Sequence, residues 1–151
     1  MATSGVAASF LPGGRTVHSR FKLPLHVDDK SSGNISIQCS LAKMIVAAKL
    51  VVWDEASMAN RHSIKALDES LQKLMSNDLP FGGKTVLFGG DFRQILPIVP
   101  GGSRESMIAA SIVATKIWPV VTKIKLEENM RAKEDPDFVS FLMRIGNVIK
   151  Y

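Results

Sequence analysis

The sequence predicts an α/β domain with a mainly parallel sheet, and three observations carry that reading. Two short apolar runs, Leu50–Trp53 and Thr85–Phe88, favour strands and stop abruptly at acids or glycines. Between them lies a stretch with helical spacing, and strand, helix and strand in that order build a parallel pair. The 151 residues, 46% of them apolar, suit one domain that buries roughly 70% of the surface its unfolded chain exposes.

Taken in order, residues 28–34 are polar and Gly/Ser-bearing, as in a surface loop. Ser40 precedes Leu41, Met44, Ile45 and Ala48, so a short helix with Ser40 as N-cap is expected. It leads into Leu50–Trp53, expected as a central strand covered on both faces and ended by Asp54 and Glu55. Asn60 can cap a helix with Ile64, Leu67, Leu71, Leu74 and Met75 on one face, and Asp68 and Lys73 toward water. Residues 77–83 turn the chain into Thr85–Phe88, which Gly89 and Gly90 end. Ser103 starts a helical stretch carrying Met107, Ile108 and Ile112. Residues 120–126 set Val121, Ile124 and Leu126 among Lys123 and Lys125, the pattern of a third strand near an edge. Asp135 and Pro136 take the N-cap and first helical positions before Phe138, Phe141, Leu142 and Ile145, with Gly146 closing that helix.

Composition narrows the functional classes. With 22% charged residues, 7 Pro and 11 Gly, the chain is neither disordered nor collagen-like. Lys43, Lys49 and Asp54 interrupt the most apolar segment well short of the ~18 residues a membrane span needs. The single cysteine, Cys39, excludes an internal disulfide, and three scattered histidines supply no zinc cluster. The 19 basic against 14 acidic residues tilt the chain mildly toward a polyanionic partner.

Ligands of open α/β sheets collect at the carboxyl ends of strands, which is where Asp54 and Glu55 stand. An Asp there can hold a hydrated Mg²⁺, and the adjacent Glu can orient and deprotonate a water that attacks a terminal phosphate. An acidic turn that merely ends a strand is the alternative. Gly89-Gly90-Asp91-Phe92-Arg93-Gln94 opens on the same edge. Its glycines admit a phosphate, and Gln94 can bond a γ-phosphate oxygen and a water together. A plain glycine turn with exposed polar residues is the competing reading.

Val52-Trp53-Asp54-Glu55-Ala56-Ser57-Met58 and Gly90-Asp91-Phe92-Arg93-Gln94-Ile95-Leu96-Pro97 resemble motifs II and III of the petite-integration-frequency (PIF-one) DNA helicases of superfamily one. Gly13-Gly14-Arg15-Thr16-Val17-His18-Ser19-Arg20-Phe21 is similar to motif Ia of that family, and Leu126-Glu127-Glu128-Asn129-Met130-Arg131 to motif IV. The resemblance spans nearly the whole chain and includes Phe81-Gly82-Gly83-Lys84. It implies the first of two RecA-like domains, with ATP and Mg²⁺ as cofactors and single-stranded DNA and duplex junctions as partners. ATP hydrolysis would drive translocation and unwinding in recombination, repair and telomere maintenance, in the nucleus or mitochondrion.

Carried over position by position, the resemblance assigns Asp54 to the magnesium, Glu55 to the attacking water and Gln94 to the γ-phosphate. Arg131 would meet the charge that grows on the transferring phosphoryl group, a role worth about 10³ to 10⁵ in rate in other nucleoside triphosphatases. Without the resemblance, Arg131 reads as a solvated cation near Glu127 and Glu128. Thr16, His18 and Ser19 would touch the phosphodiester backbone, which fixes register and carries no base information.

The chain departs from the family in two respects. No Gly-x-x-x-x-Gly-Lys-Ser/Thr phosphate loop occurs in the 151 residues. Gly83-Lys84-Thr85 fails the pattern, because its first glycine would fall at Asp78 and residues 86–88 read as strand instead of helix. The expectation is therefore a partial helicase domain over residues 1–151, motif Ia through motif IV, with the Walker A segment upstream and the second RecA-like domain absent. Such a chain alone should hydrolyse little or no ATP. A non-catalytic remnant that binds single-stranded DNA weakly, with steep salt dependence, is the alternative. A third possibility is a chain unstable alone, its apolar sheet open to aggregation.

Overall fold

The computed structural model describes residues 1–148. Its elements are α1 (Gly5–Ser9), α2 (Val17–Phe21), α3 (Ser40–Ala47), β1 (Leu50–Trp53), α4 (Arg61–Met75), β2 (Thr85–Phe88), α5 (Arg104–Ala110) and α6 (Pro136–Val148). Short 3₁₀ turns lie at Ala56–Met58, Pro80–Gly83, Ile112–Ala114 and Trp118–Val120.

β1 and β2 pair in parallel, Leu50 beside Thr85 through Trp53 beside Phe88, so both carboxyl ends open on one edge. Residues 1–3 lie along the other side of β1. The Met1 nitrogen donates to Val52 O at 2.7 Å, and Asp54 N donates to Met1 O at 2.8 Å. Parallel bridges join Ala2 both to Thr16 and to Asp54. The start of α2 is thereby fixed one bridge away from the end of β1.

α4 forms as its spacing predicts. Asn60 accepts from His62 N at 2.9 Å as N-cap, and Ser76 ends the helix in the left-handed conformation. Ile64, Leu67 and Leu71 are fully buried in a core shared with Val17, Phe21, Trp53 and Ile112. Burying each such aliphatic side chain stabilises the fold by about 1.5–3 kcal/mol.

Several expectations need correction. The N-cap of α3 is Cys39, which has an extended backbone and whose Sγ accepts the Ala42 amide at 3.4 Å, and Ser40 is the first helical residue. β1 is not covered on both faces: Trp53 is buried, whereas Leu50 is 50% exposed, as is Leu87 of β2. The helix from Ser103 stops at Ala110, because Ser111 turns extended, and Ile112 is buried from the following 3₁₀ turn. Asp68 does not face water. It is half-buried against the Pro80–Gly83 turn, where it accepts the amide of Phe81, itself at a positive φ of 56°.

Residues 120–126 form no third strand. They leave the 3₁₀ turn Trp118–Val120 as irregular chain with no ladder to β1 or β2, and Ile124 and Leu126 are 80% and 91% exposed. Adjacent Val120 and Val121 break the alternation, so neither face is consistently apolar and nothing pins a register. In α6, Asp135 is the expected N-cap, accepting Phe138 N at 2.9 Å. Gly146 does not close that helix: it keeps a negative φ and the helix continues to Val148. A glycine stops a helix by turning left-handed, and this one does not.

Candidate functional site

The strand ends are joined beyond their last paired residues. Gly89 N donates to Trp53 O at 2.9 Å, and Ala56 N donates to Gly89 O at 2.7 Å. Asp54 and Glu55 are thus held directly beside Gly89 and Gly90. One oxygen of Asp54, Oδ1, accepts the Glu55 amide at 3.0 Å, and the other makes no hydrogen bond among the described residues. A Cβ on Gly89 would stand 3.1 Å from Asp54 Oδ1, so glycine keeps the space in front of that carboxylate open.

Glu55 occupies the left-handed region at φ 54°, ψ 39°, an uncommon conformation for a residue with a long side chain. The surroundings enforce it. Thr3 Oγ1 donates to Glu55 O at 2.9 Å while accepting Trp53 Nε1 at 3.0 Å, so a relay from the buried indole pins the carbonyl. The carboxylate itself has no partner among the described residues, which leaves it free to accept from a water. Strain of this kind is characteristic of sites where geometry outranks stability.

Gln94 lies in the exposed turn after Gly90. Asp91 organises that turn: its Oδ1 accepts Arg93 N at 2.9 Å and Arg93 Nε at 3.0 Å, and its backbone carbonyl accepts the Gln94 amide at 3.1 Å. The Arg93 guanidinium holds the Asp91 carboxyl below its usual range. Arg131 is exposed on the loop before α6, where Asn129 Oδ1 accepts the amides of Arg131 and Ala132. Its guanidinium makes no hydrogen bond or ion pair among the described residues. The structure therefore brings Asp54 and Glu55 against the glycines and places Gln94 on the turn those glycines begin, and no hydrogen bond or ion pair joins Arg131 to any of them among the described residues.

Thr16, His18 and Ser19 stand on the first turn of α2. Thr16 Oγ1 accepts the Ser19 amide at 3.2 Å as N-cap, which leaves its hydroxyl proton for an acceptor outside. Burial lowers the pKa of His18, so its imidazole is neutral at pH 7 and can donate one N–H without carrying charge. Ala2, bridged on one side to Thr16 and on the other to Asp54, connects this turn to the strand end.

Lys84 has a different task from the lysine of a phosphate loop. Its ammonium donates to Val46 O at 2.9 Å and Ala48 O at 2.7 Å, neutralising carbonyls at the end of α3. A cavity of about 480 Å³ between α4 and residues 114–117, lined in part by His62, Asp68 and Lys116, includes none of the candidate residues.

Sequence reasoning missed three residues. Thr3 fixes Glu55, Asp91 anchors the Gln94 turn, and Ser57 places its hydroxyl in the buried space behind Gly90. Ser57 Oγ is the one buried side-chain polar atom without a partner among the described residues. A signal existed for Asp91, since Asp two residues before Arg is a common local turn pattern. Thr3 and Ser57 act through contacts distant in sequence or across the strand ends, which spacing does not reveal.

The Mg²⁺ implied by the resemblance fits these residues. No group of three or more His, Cys, Asp or Glu side chains forms a metal cage among the described residues. Mg²⁺ needs none, because it is usually held by one or two carboxylates and completes its shell with water and phosphate oxygens. Asp54, whose Oδ2 makes no hydrogen bond among the described residues, supplies such a ligand.

A family model described as PIF1-like helicase matches residues 1–148. ATP-dependent DNA helicase PIF1 of Saccharomyces cerevisiae is 32% identical over 152 residues, which cover 97% of this chain and 17% of the yeast protein. The crystal structure of Pif1 helicase from Bacteroides in complex with ADP-AlF3 and ssDNA superimposes with a TM-score of 0.80 at 24% identity, over 97% of this chain and 35% of that one. The Pif1 helicase from Candida albicans gives 0.69 at 27% identity, over 98% of this chain and 32% of its own. The chain thus spans about a third or less of these relatives. With four motifs in order, a match over nearly its whole length and the same α/β fold, it belongs to the PIF1-like helicase family.

Proposed function

We propose that this chain forms the nucleotide-facing part of an ATP-dependent DNA helicase. The observation that carries the reading is the joining of the β1 and β2 ends, which sets Asp54 and Glu55 beside the glycines that begin the Gln94 turn. In that arrangement Asp54 would hold Mg²⁺ through its open oxygen, and when bound the ion would supply positive charge against the phosphates. Glu55, pinned by Thr3, accepts a proton from a water aligned on the terminal phosphate. Gln94 would bond that phosphate, and Arg131 would meet the charge that grows on it. Thr16, His18 and Ser19 bind the phosphodiester backbone of single-stranded DNA. Because Ala2 bridges Thr16 and Asp54, a shift at one site reaches the other through a single residue.

The relatives' printed activity supports the reading for a whole helicase, with work on junctions, repair and telomeres, a nuclear or mitochondrial site and Mg²⁺ use as its finer expectations. For the 151-residue polypeptide alone, the lack of a Gly-Lys-Thr phosphate loop favours DNA binding without turnover. Exchanging the segment for its counterpart in the yeast helicase tests both statements. The chimera should retain DNA-stimulated ATP hydrolysis, and Glu55→Gln should lower it about 10²–10⁴-fold. Undiminished hydrolysis in that variant refutes the assignment of Glu55, and DNA-stimulated hydrolysis by the isolated chain refutes the second statement.

A further inference from the structure

The turn that carries Gln94 joins the strand end through one unbonded residue. Gly89 is fixed on both sides, its amide donating to Trp53 O at 2.9 Å and its carbonyl accepting Ala56 N at 2.7 Å. From Asp91 onward the turn is a closed unit, in which Asp91 Oδ1 accepts Arg93 N at 2.9 Å and Asp91 O accepts Gln94 N at 3.1 Å. Gly90 stands between these units, exposed, with neither its amide nor its carbonyl hydrogen-bonded among the described residues. Glycine changes φ and ψ at the least steric cost, so Gly90 is where the turn can swing. Against that hinge lies Ser57, 2% exposed, on the 3₁₀ turn two residues after Glu55. Its Oγ has no partner among the described residues, and Gly90 packs so close that a Cβ there would stand 2.9 Å from it. A buried hydroxyl left unpaired is costly, which points to a second state of the turn in which it is paired.

We propose that Ser57 is a positioning residue for Gln94, an inference that rests on the proposed role of Gln94 at the terminal phosphate. As the turn draws toward that phosphate, rotation of the Gly90 peptide brings its carbonyl to the Ser57 hydroxyl, which donates to it and holds Gln94 in place. The hydrogen bond exists in the advanced state and not in the resting one. It therefore supplies the difference in free energy that any shift between two states requires. Ser57 touches no nucleotide and acts through the turn alone. Its place on the segment that follows Glu55 ties the position of Gln94 to that of the residue facing the attacking water.

The test uses the yeast chimera, with ADP plus aluminium fluoride as a stand-in for the transferring phosphate and ADP alone as its reference. Ser57→Ala removes the hydroxyl and little volume. It should weaken ADP plus aluminium fluoride about tenfold, leave ADP unchanged, and lower kcat by a similar factor at constant KM for ATP. Without nucleotide, the variant should melt no lower than the unsubstituted chimera, because what it loses is an unpaired group. In a Gln94→Ala background, Ser57→Ala should cost nothing further, since the residue it positions is gone. Equal weakening of both ligands, or a lower melting temperature, overturns the proposal in favour of a packing role for Ser57. Unchanged affinity for both ligands, or a full second loss on top of Gln94→Ala, overturns it as well. In each of these cases Gln94→Ala by itself still weakens ADP plus aluminium fluoride, and the reading of Gln94 stands. A Gln94→Ala variant that binds it as tightly as the unsubstituted chimera overturns that reading and the role of Ser57 with it.

Discussion

The amide of Ala56 donates to the carbonyl of Gly89 across 2.7 Å, tying the end of β1 to the end of β2 where the ladder stops. The approach behind this bond tolerates no side chain. A Cβ on Gly90 would stand 2.9 Å from both Ser57 N and Ser57 Oγ. Gly90→Ala should therefore cost about 1–3 kcal/mol, the usual penalty of overpacking, seen as a lower urea midpoint. Gly5→Ala, with nothing within 4 Å of its Cβ, is the control and should change little. Equal midpoints for the two variants would mean that the strand ends are looser than described.

Lys84 donates to Val46 O and Ala48 O and so acts on the end of α3. Lys84→Met keeps most of the stem and removes both bonds. Partly exposed hydrogen bonds from a charged group are worth about 1–2 kcal/mol together once water competes for the carbonyls. Thermal unfolding should show that loss, while ATP hydrolysis by the yeast chimera should stay at the level of the unsubstituted chimera. A collapse of hydrolysis at unchanged stability would make Lys84 a phosphate ligand after all.

What the sequence disclosed depended on the range of the physics. β1, β2 and α4 were legible because continuous apolar runs and 3.6-residue spacing are local signals, and Asn60 and Asp135 because caps act within three residues. The positions of Asp54 and Glu55 at a strand end followed from the same runs. Residues 120–126 misled because adjacent Val120 and Val121 break the alternation, so neither face is consistently apolar and no register is fixed. Asp68 misled because the group that needs it, the Phe81 amide, arrives 13 residues later in a left-handed turn that no local pattern announces. Thr3, bonded to Trp53 and Glu55 some fifty residues away, was invisible for the same reason.

Asp68 sets a pH dependence. Burial raises its pKa above the ordinary 3.8, with nearby Glu69 adding to the rise and the Phe81 amide opposing it. The folded state therefore disfavours the ionised carboxyl, a cost fully present above the raised folded pKa that disappears as pH falls toward 3.8. Asn at this position keeps an acceptor for Phe81 and never ionises. Asp68→Asn should be more stable than the parent chain at pH 7, with the difference shrinking through the acid range. A gap that stays constant with pH would show that Asp68 is not the titrating group.

Glu55 links strain to function. A non-glycine residue at φ 54° gives up about 1 kcal/mol relative to one that tolerates the left-handed region. Asn is such a residue, because its short side chain accepts that backbone readily. Comparing Glu55→Asn with Glu55→Gln isolates the backbone, since both remove the charge beside Asp54 and only Asn relieves the conformation. In the isolated chain Glu55→Asn should unfold at higher urea than Glu55→Gln, by about 1 kcal/mol. In the chimera both should lose hydrolysis alike, since neither amide can take a proton from water. Equal stabilities would place the strain elsewhere. Hydrolysis retained by either variant would remove Glu55 from the chemistry, and the left-handed turn would then need another explanation.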